Sequence, residues 1–128
     1  MRCVAYNAFG VPHEVLYLAE RPVPEPGRGE IRVRMTLSPI HNHDLWTIRG
    51  EYGVKPPLPA IGGTEAAGIV DKVGEGVTAP AVGQRVAAGS IVGAWAEISS
   101  LARRQSFRFP TQSTMTSPAS SWRCRCRR

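Results

Sequence analysis

The sequence predicts a mostly β fold, a small partly open barrel with short helices, on three observations. Residues 30–37 alternate apolar and polar strictly, with Ile31, Val33, Met35 and Leu37 on one face, which is the period-2 signature of a half-buried strand. Short apolar runs recur at residues 1–8, 14–20, 65–73 and 83–88, separated by segments rich in Gly and Pro. Strands at such spacing suggest a barrel. Helix is scarce: residues 43–49 could form one or two turns, ending at Gly50.

Taken in order, residues 1–8 and 14–20 read as strands around a turn at Phe9-Gly10-Val11-Pro12. Residues 21–29 carry Pro22, Pro24, Pro26, Gly27 and Gly29 and read as loop. Beyond the strand at 30–37 and the short helix, residues 52–59 form a Pro-punctuated loop. The strand at 65–73 is broken by Gly74-Glu75-Gly76, and another begins at Gly83. Past about Ile98 the character changes. Residues 99–128 are rich in Ser, Thr and Arg, lack acidic residues and show no sustained period, a composition that predicts disorder. The expected organisation is therefore a domain over 1–98 and a disordered basic tail over 99–128.

A chain of 128 residues suits one domain. It has no apolar run of about 18 residues that could cross a membrane as a helix. The opening Met1-Arg2-Cys3-Val4-Ala5-Tyr6 lacks the apolar core of a secretory signal, so a cytoplasmic location is expected. Cys3, Cys124 and Cys126 form no disulfide framework, and one residue between the last two is too few for a usual zinc knuckle. The net charge of +6 is unevenly spread. Residues 1–100 hold nine Lys/Arg against ten Asp/Glu, whereas residues 101–128 hold seven Arg and no acid. Specific nucleic-acid binding wants a basic stripe on a folded face, and here the folded part is close to neutral.

Several segments resemble those of one enzyme family in order and spacing. Ser38-Pro39-Ile40-His41-Asn42-His43-Asp44-Leu45, followed by Ile48-Arg49-Gly50-Glu51-Tyr52-Gly53, is similar to S-P-I-N-P-S-D-I-x-x-I-x-G-x-Y of the medium-chain dehydrogenase/reductases. Leu58-Pro59 through Gly63-Thr64-Glu65 to Val70 resembles L-P-x-x-G-x-E-x-x-G-x-V. Val73-Gly74-Glu75-Gly76-Val77, Val82-Gly83-Gln84-Arg85-Val86 and Gly93-Ala94-Trp95-Ala96-Glu97 resemble the family's V-G-x-x-V, G-D-R-V and G-x-W-A-E segments. The resemblance covers residues 1–97 and implies a GroES-like barrel, the substrate-side half of an NAD(P)H-dependent oxidoreductase.

Alcohol dehydrogenases of this family hold zinc with a Cys and with the His of a G-H-E motif. Here Ile40 and Asn42 stand near the Cys position and Thr64 replaces the His, and the remaining carboxylate of Glu65 cannot hold zinc tetrahedrally by itself. The four-Cys structural zinc lobe is absent too. The resemblance is therefore to the zinc-free branch, 2-enoyl thioester reductases and quinone oxidoreductases. It implies NADPH as cofactor, an enoyl thioester or quinone as small-molecule substrate, and a homodimer in full-length relatives.

The resemblance assigns a catalytic role to Tyr52, which stands at the active-site Tyr after I-x-G. A phenol donates a hydrogen bond at neutral pH and can stabilise a developing enolate; the competing reading is a packing or surface Tyr. His41, Asn42 and Asp44 are assigned to the nicotinamide and substrate cleft, against a competing role in capping or at the surface. His41 stands where the family pattern has Asn. His41, His43 and Asp44 also offer metal-ligand chemistry, but residues 41 and 43 share a face only if extended, and the segment is expected to enter a helix. No metal site is assigned. His13 reads as exposed, Trp95 as core or barrel rim. Gly62-Gly63 and Gly74-Glu75-Gly76 fit no phosphate-loop pattern and read as turns.

In full-length relatives a Rossmann domain with a glycine fingerprint follows this one; no such fingerprint occurs here, which leads to the expectation of a truncated and inactive half-enzyme. The tail offers a reason. With codons read one base out of step, permitted synonymous choices let residues 106–127 yield L-P-L-P-D-A-I and then D-D-D-E, close to the family's continuation. The fixed codons of Met115 and Trp122 permit it. Residues from about 99 onward are therefore read as a frameshift product, a hypothesis that an intact single frame on resequencing would sink. The alternative function is a non-catalytic GroES-like interaction module whose basic tail recruits acidic partners.

Overall fold

The computed structural model describes residues 1–108. The elements are β1 (Arg2–Tyr6), α1 (Pro12–Val15), β2 (Tyr17–Glu20), β3 (Glu30–Leu37), α2 (Asn42–Arg49), β4 (Ala60–Ile61), β5 (Ala66–Val73), β6 (Arg85–Ala88), β7 (Ile98–Ala102), a 3-10 turn at Arg103–Gln105, and β8 (Ser106–Arg108). They form two antiparallel sheets, β2-β1-β4 and β7-β3-β5-β6-β8. This is the expected mostly β, curled architecture.

Strand β3 is the spine of the larger sheet, and alternation explains its placement. Ile31 and Val33 point inward with Val70, Val86 and Leu101 from the neighbouring strands and are essentially fully buried. The expected one-face alternation weakens toward the end: Met35 is only partly buried and Leu37 is 67% exposed, because β3 runs on past the edge of this core. Two register shifts in the β3–β5 ladder, at Arg32/Val33 and Met35/Leu37, bend the sheet. Between them, a Cβ on Gly68 would lie 2.3 Å from the Arg34 carbonyl oxygen. Only glycine permits so close an approach of the strands.

The disorder expected from residue 99 is corrected for residues 99–108. Ile98–Ala102 pairs along β3 from Arg34 to Glu30, and Ser106–Arg108 pairs along β6. Leu101 seals the core, and the Ser100 hydroxyl lies 2.8 Å from the Glu30 carboxylate. A strand with one buried side chain among serines carries little apolar signal, but its backbone finds a complete ladder on β3. Residues 109–128, where the rest of the expected disorder and shifted frame fall, lie outside the described residues.

The second sheet packs a smaller cluster of Tyr6, Ile48 and Ala60, flanked by Phe9, Val15 and Leu16. The segment expected as a plain turn and strand near residue 12 forms instead the single helical turn α1, begun at Pro12, where proline's fixed φ suits a first helical position. Trp95 joins the two cores. Its backbone carbonyl accepts from Val4 N–H at 2.9 Å, and its indole donates to Pro39 O at 3.2 Å. Its ring lies flush against Gly62 and Gly63, where any Cβ would come within 2.4 Å. These glycines therefore do more than turn the chain: they make room for Trp95.

Candidate active site at the start of helix α2

The site is built from the bottom of α2 upward. His41 is extended, with φ −100° and ψ 156°, and the helix begins at Asn42. Asp44 folds back so that its Oδ2 accepts the His41 backbone N–H at 2.9 Å, satisfying one of the donors left open where a helix begins. At the other end Gly50 adopts the left-handed conformation, φ 77°, which a glycine accommodates without strain.

Asp44 is buried to 2% exposure, yet both carboxylate oxygens have partners, since Thr64 donates from Oγ1 to Oδ1 at 2.8 Å. The buried carboxylate has a distant effect as well. Burial, and then the charge of Asp44, raise the Tyr6 phenol above its ordinary value. Asp44, expected to line the cofactor cleft, is buried, with its two oxygens taken by the His41 backbone N–H and by Thr64.

Above this base stands a row of rings. His43 Nε2 lies 2.8 Å from Thr64 Oγ1, and His41 Nε2 lies 3.0 Å from Glu65 Oε2. The two imidazoles stack, with centroids 5.0 Å apart and planes 15° apart. The expectation that residues 41 and 43 could meet only on an extended segment is corrected: His41 is the extended residue just before the helix and His43 the second residue within it, and the junction brings the rings together. Tyr52, 42% exposed on the loop after α2, tilts against His43 with centroids 5.9 Å apart. Asn42 is exposed at the first helical position. Three of the four predicted residues thus stand near one solvent-facing patch, and the fourth supports it.

Sequence reasoning weighed His43 only as a metal ligand and gave Thr64 only a negative role. Among the described residues no group of three or more His, Cys, Asp or Glu side chains is placed to hold a metal ion.

On the far side of segment 38–40 opens an apolar groove of about 580 Å³, lined by Leu16, Leu18, Met35, Leu37, Ile40 and Trp95 among others. Its size suits a small molecule. None of the histidines, nor Tyr52, lines it.

Comparison with known proteins agrees with the fold and the motif order. The alcohol dehydrogenase GroES-like domain model matches residues 27–111. The human synaptic vesicle membrane protein VAT-1 homolog is 34% identical over 121 residues, 93% of this chain and 30% of that protein. The mitochondrial enoyl-[acyl-carrier-protein] reductase of Caenorhabditis elegans is 45% identical over 76 residues, 59% of this chain and 22% of the relative. The solved Escherichia coli quinone oxidoreductase complexed with NADPH superposes with a TM-score of 0.81 at 32% identity, over 86% of this chain and 33% of the other. The chain thus spans a third or less of the length of these relatives. It belongs to the alcohol dehydrogenase GroES-like domain family, within the medium-chain dehydrogenase/reductase oxidoreductases and among enoyl and quinone reductase neighbours.

Proposed function

We propose that this chain is the substrate-side domain of a cytosolic, NADPH-dependent, zinc-free reductase of activated C=C bonds, with an enoyl thioester or quinone as substrate. The observation that carries this reading is the row of Tyr52, His43 and His41 over a fully hydrogen-bonded base. Phenol and imidazole N–H groups are the donors that a carbonyl oxygen needs as it becomes an enolate. The amino-terminal end of α2 adds the positive end of a helix dipole on the same side. Zinc is not required for such stabilisation, and Thr64, standing where the zinc branch has His, commits its hydroxyl to Asp44.

NADPH, when bound, supplies the hydride. Every described strand pair is antiparallel, so the parallel βαβ unit that seats a dinucleotide pyrophosphate is not among the described residues. What this chain offers the cofactor is its nicotinamide end, beside His41, Asn42 and Tyr52. Tyr52 and the imidazoles orient and polarise the substrate carbonyl, while Asp44 and Thr64 hold the rings in place.

Two measurements test this. Titrating the isotope-labelled chain with crotonyl-CoA or duroquinone is expected to perturb the amide and side-chain resonances of Tyr52, His41 and Thr64. Resonances that stay unmoved there, or that move elsewhere, overturn the substrate assignment. Calorimetry with NADPH is expected to give no tight complex with this chain alone; tight binding would overturn its assignment as the substrate-side half.

A further inference from the structure

Thr64 has one hydroxyl proton, and that proton is directed to Asp44 Oδ1 at 2.8 Å. The donating Thr64 Oγ1 itself lies 2.8 Å from His43 Nε2. A hydroxyl that has spent its proton can only accept from a second partner, so Nε2 must carry the hydrogen. A separate distance agrees. His43 Nε2 is 3.7 Å from Asp44 Oδ1, and a carboxylate oxygen facing a ring nitrogen favours an N–H over a lone pair. The order of donors is thus His43 to Thr64 to Asp44, ending on a buried carboxylate whose other oxygen is held by the His41 backbone N–H.

We propose that His43 is the proton-exchanging residue of this site, fixed in its Nε2–H tautomer by Thr64 and Asp44 so that Nδ1 is the atom that gives and regains a proton. The role rests on the reductase reading above. After hydride from reduced nicotinamide has formed a C–H bond at one carbon of the C=C, the electron pair of the double bond remains as an enolate. The Nδ1–H bond of a His43 imidazolium breaks, its proton forms the second C–H bond at the neighbouring carbon, and the neutral imidazole recovers a proton from water. Throughout, Nε2–H stays on Thr64, so the ring keeps its position while Nδ1 changes state. Thr64 and Asp44 are positioning residues, acting through His43. The charged and titratable groups around the ring are His41 just before the helix, Asp44 within it, Glu65 beside Thr64, and Tyr52 from the following loop.

Long-range proton–nitrogen correlation spectra of the whole chain read the tautomer directly. The expected result is Nε2–H for the wild type and for Thr64→Ser, and loss of the single tautomer to a mixture in Thr64→Val. An Nδ1–H tautomer in the wild type, or a preference unchanged by Thr64→Val while Thr64→Ser behaves identically, overturns the proposal. Adding millimolar 4-nitrophenol, a stable stand-in for the enolate, is expected to shift the His43 Nδ1 resonance together with Tyr52. Binding at Tyr52 with an unmoved Nδ1 overturns the role of His43 alone. No binding at Tyr52 overturns the reductase reading and this role with it, whichever tautomer is found.

Discussion

The two cores of this domain are built on opposite principles. The core of the five-stranded sheet is wholly apolar: Ile31, Val33, Val70, Val86 and Leu101 face one another with no polar side chain among them. The core beneath α2 has three buried residues against nine and carries Tyr6 and, close by, the buried carboxylate of Asp44. A buried carboxylate is costly unless every lone pair that loses water finds a donor. Here both oxygens do. The first core gives stability; the second gives up some of it to hold imidazoles at fixed angles on the surface above. Apolar packing and the polar base of the candidate site are thereby separated within about a hundred residues.

That contrast can be broken most drastically by cutting the larger sheet. Ending the chain after Ile98 removes Leu101 and the β7 and β8 ladders, and no cooperative unfolding transition is expected in urea. Next in size, Ile31→Ala leaves a cavity in the apolar core and is expected to cost about 2–5 kcal/mol in denaturant unfolding, with the His43 tautomer intact in the folded fraction. In the second core the pattern reverses. Asp44→Ala strands the Thr64 hydroxyl and the His41 backbone N–H and is expected to cost about 1–3 kcal/mol, while the order of the His41–His43 stack is lost in side-chain spectra. A large stability loss with the stack unchanged would show that the two cores are not divided in this way.

The smallest effect is set by pH. The Tyr6 phenol in the unfolded chain titrates near 10.0, and in the folded chain burial and Asp44 hold it higher. The folded state therefore keeps a proton that the unfolded state has released, so stability falls as pH climbs above 10.0 toward the folded value. Tyr6→Phe is expected to flatten that fall, as read by unfolding midpoints at pH 9 and pH 11. An equal decline in both proteins would remove Asp44 and burial as its source.

Strand β3 was legible to the residue because strict alternation is a local property, and α2 nearly so because Gly50 marks its end. Strand β7 was not. Ile98-Ser99-Ser100-Leu101-Ala102 buries one side chain, and what makes it a strand is the free edge of β3, some 70 residues earlier. The site divided similarly. Tyr52 and His41 were found through motif resemblance, whereas the His43–Thr64–Asp44 chain joins a helix start to a loop some twenty residues on, and neither segment carries a trace of the other. The face shared by His41 and His43 was hidden because it depends on where the extended chain changes to helix.

The pairing of β3 with β7 also has a consequence for how the chain is made. Glu30 and Ser100 are 70 residues apart, and ribosomes add roughly 5–20 residues per second. For roughly 4–14 s, then, the spine of the larger sheet waits in the nascent chain with an unpaired edge and Ile31 and Val33 not yet covered by Leu101. A strand in that state offers a template to any passing strand. Arg34, exposed on the strand, places positive charge along the waiting edge, which discourages pairing with its own copies on neighbouring ribosomes until the native partner arrives.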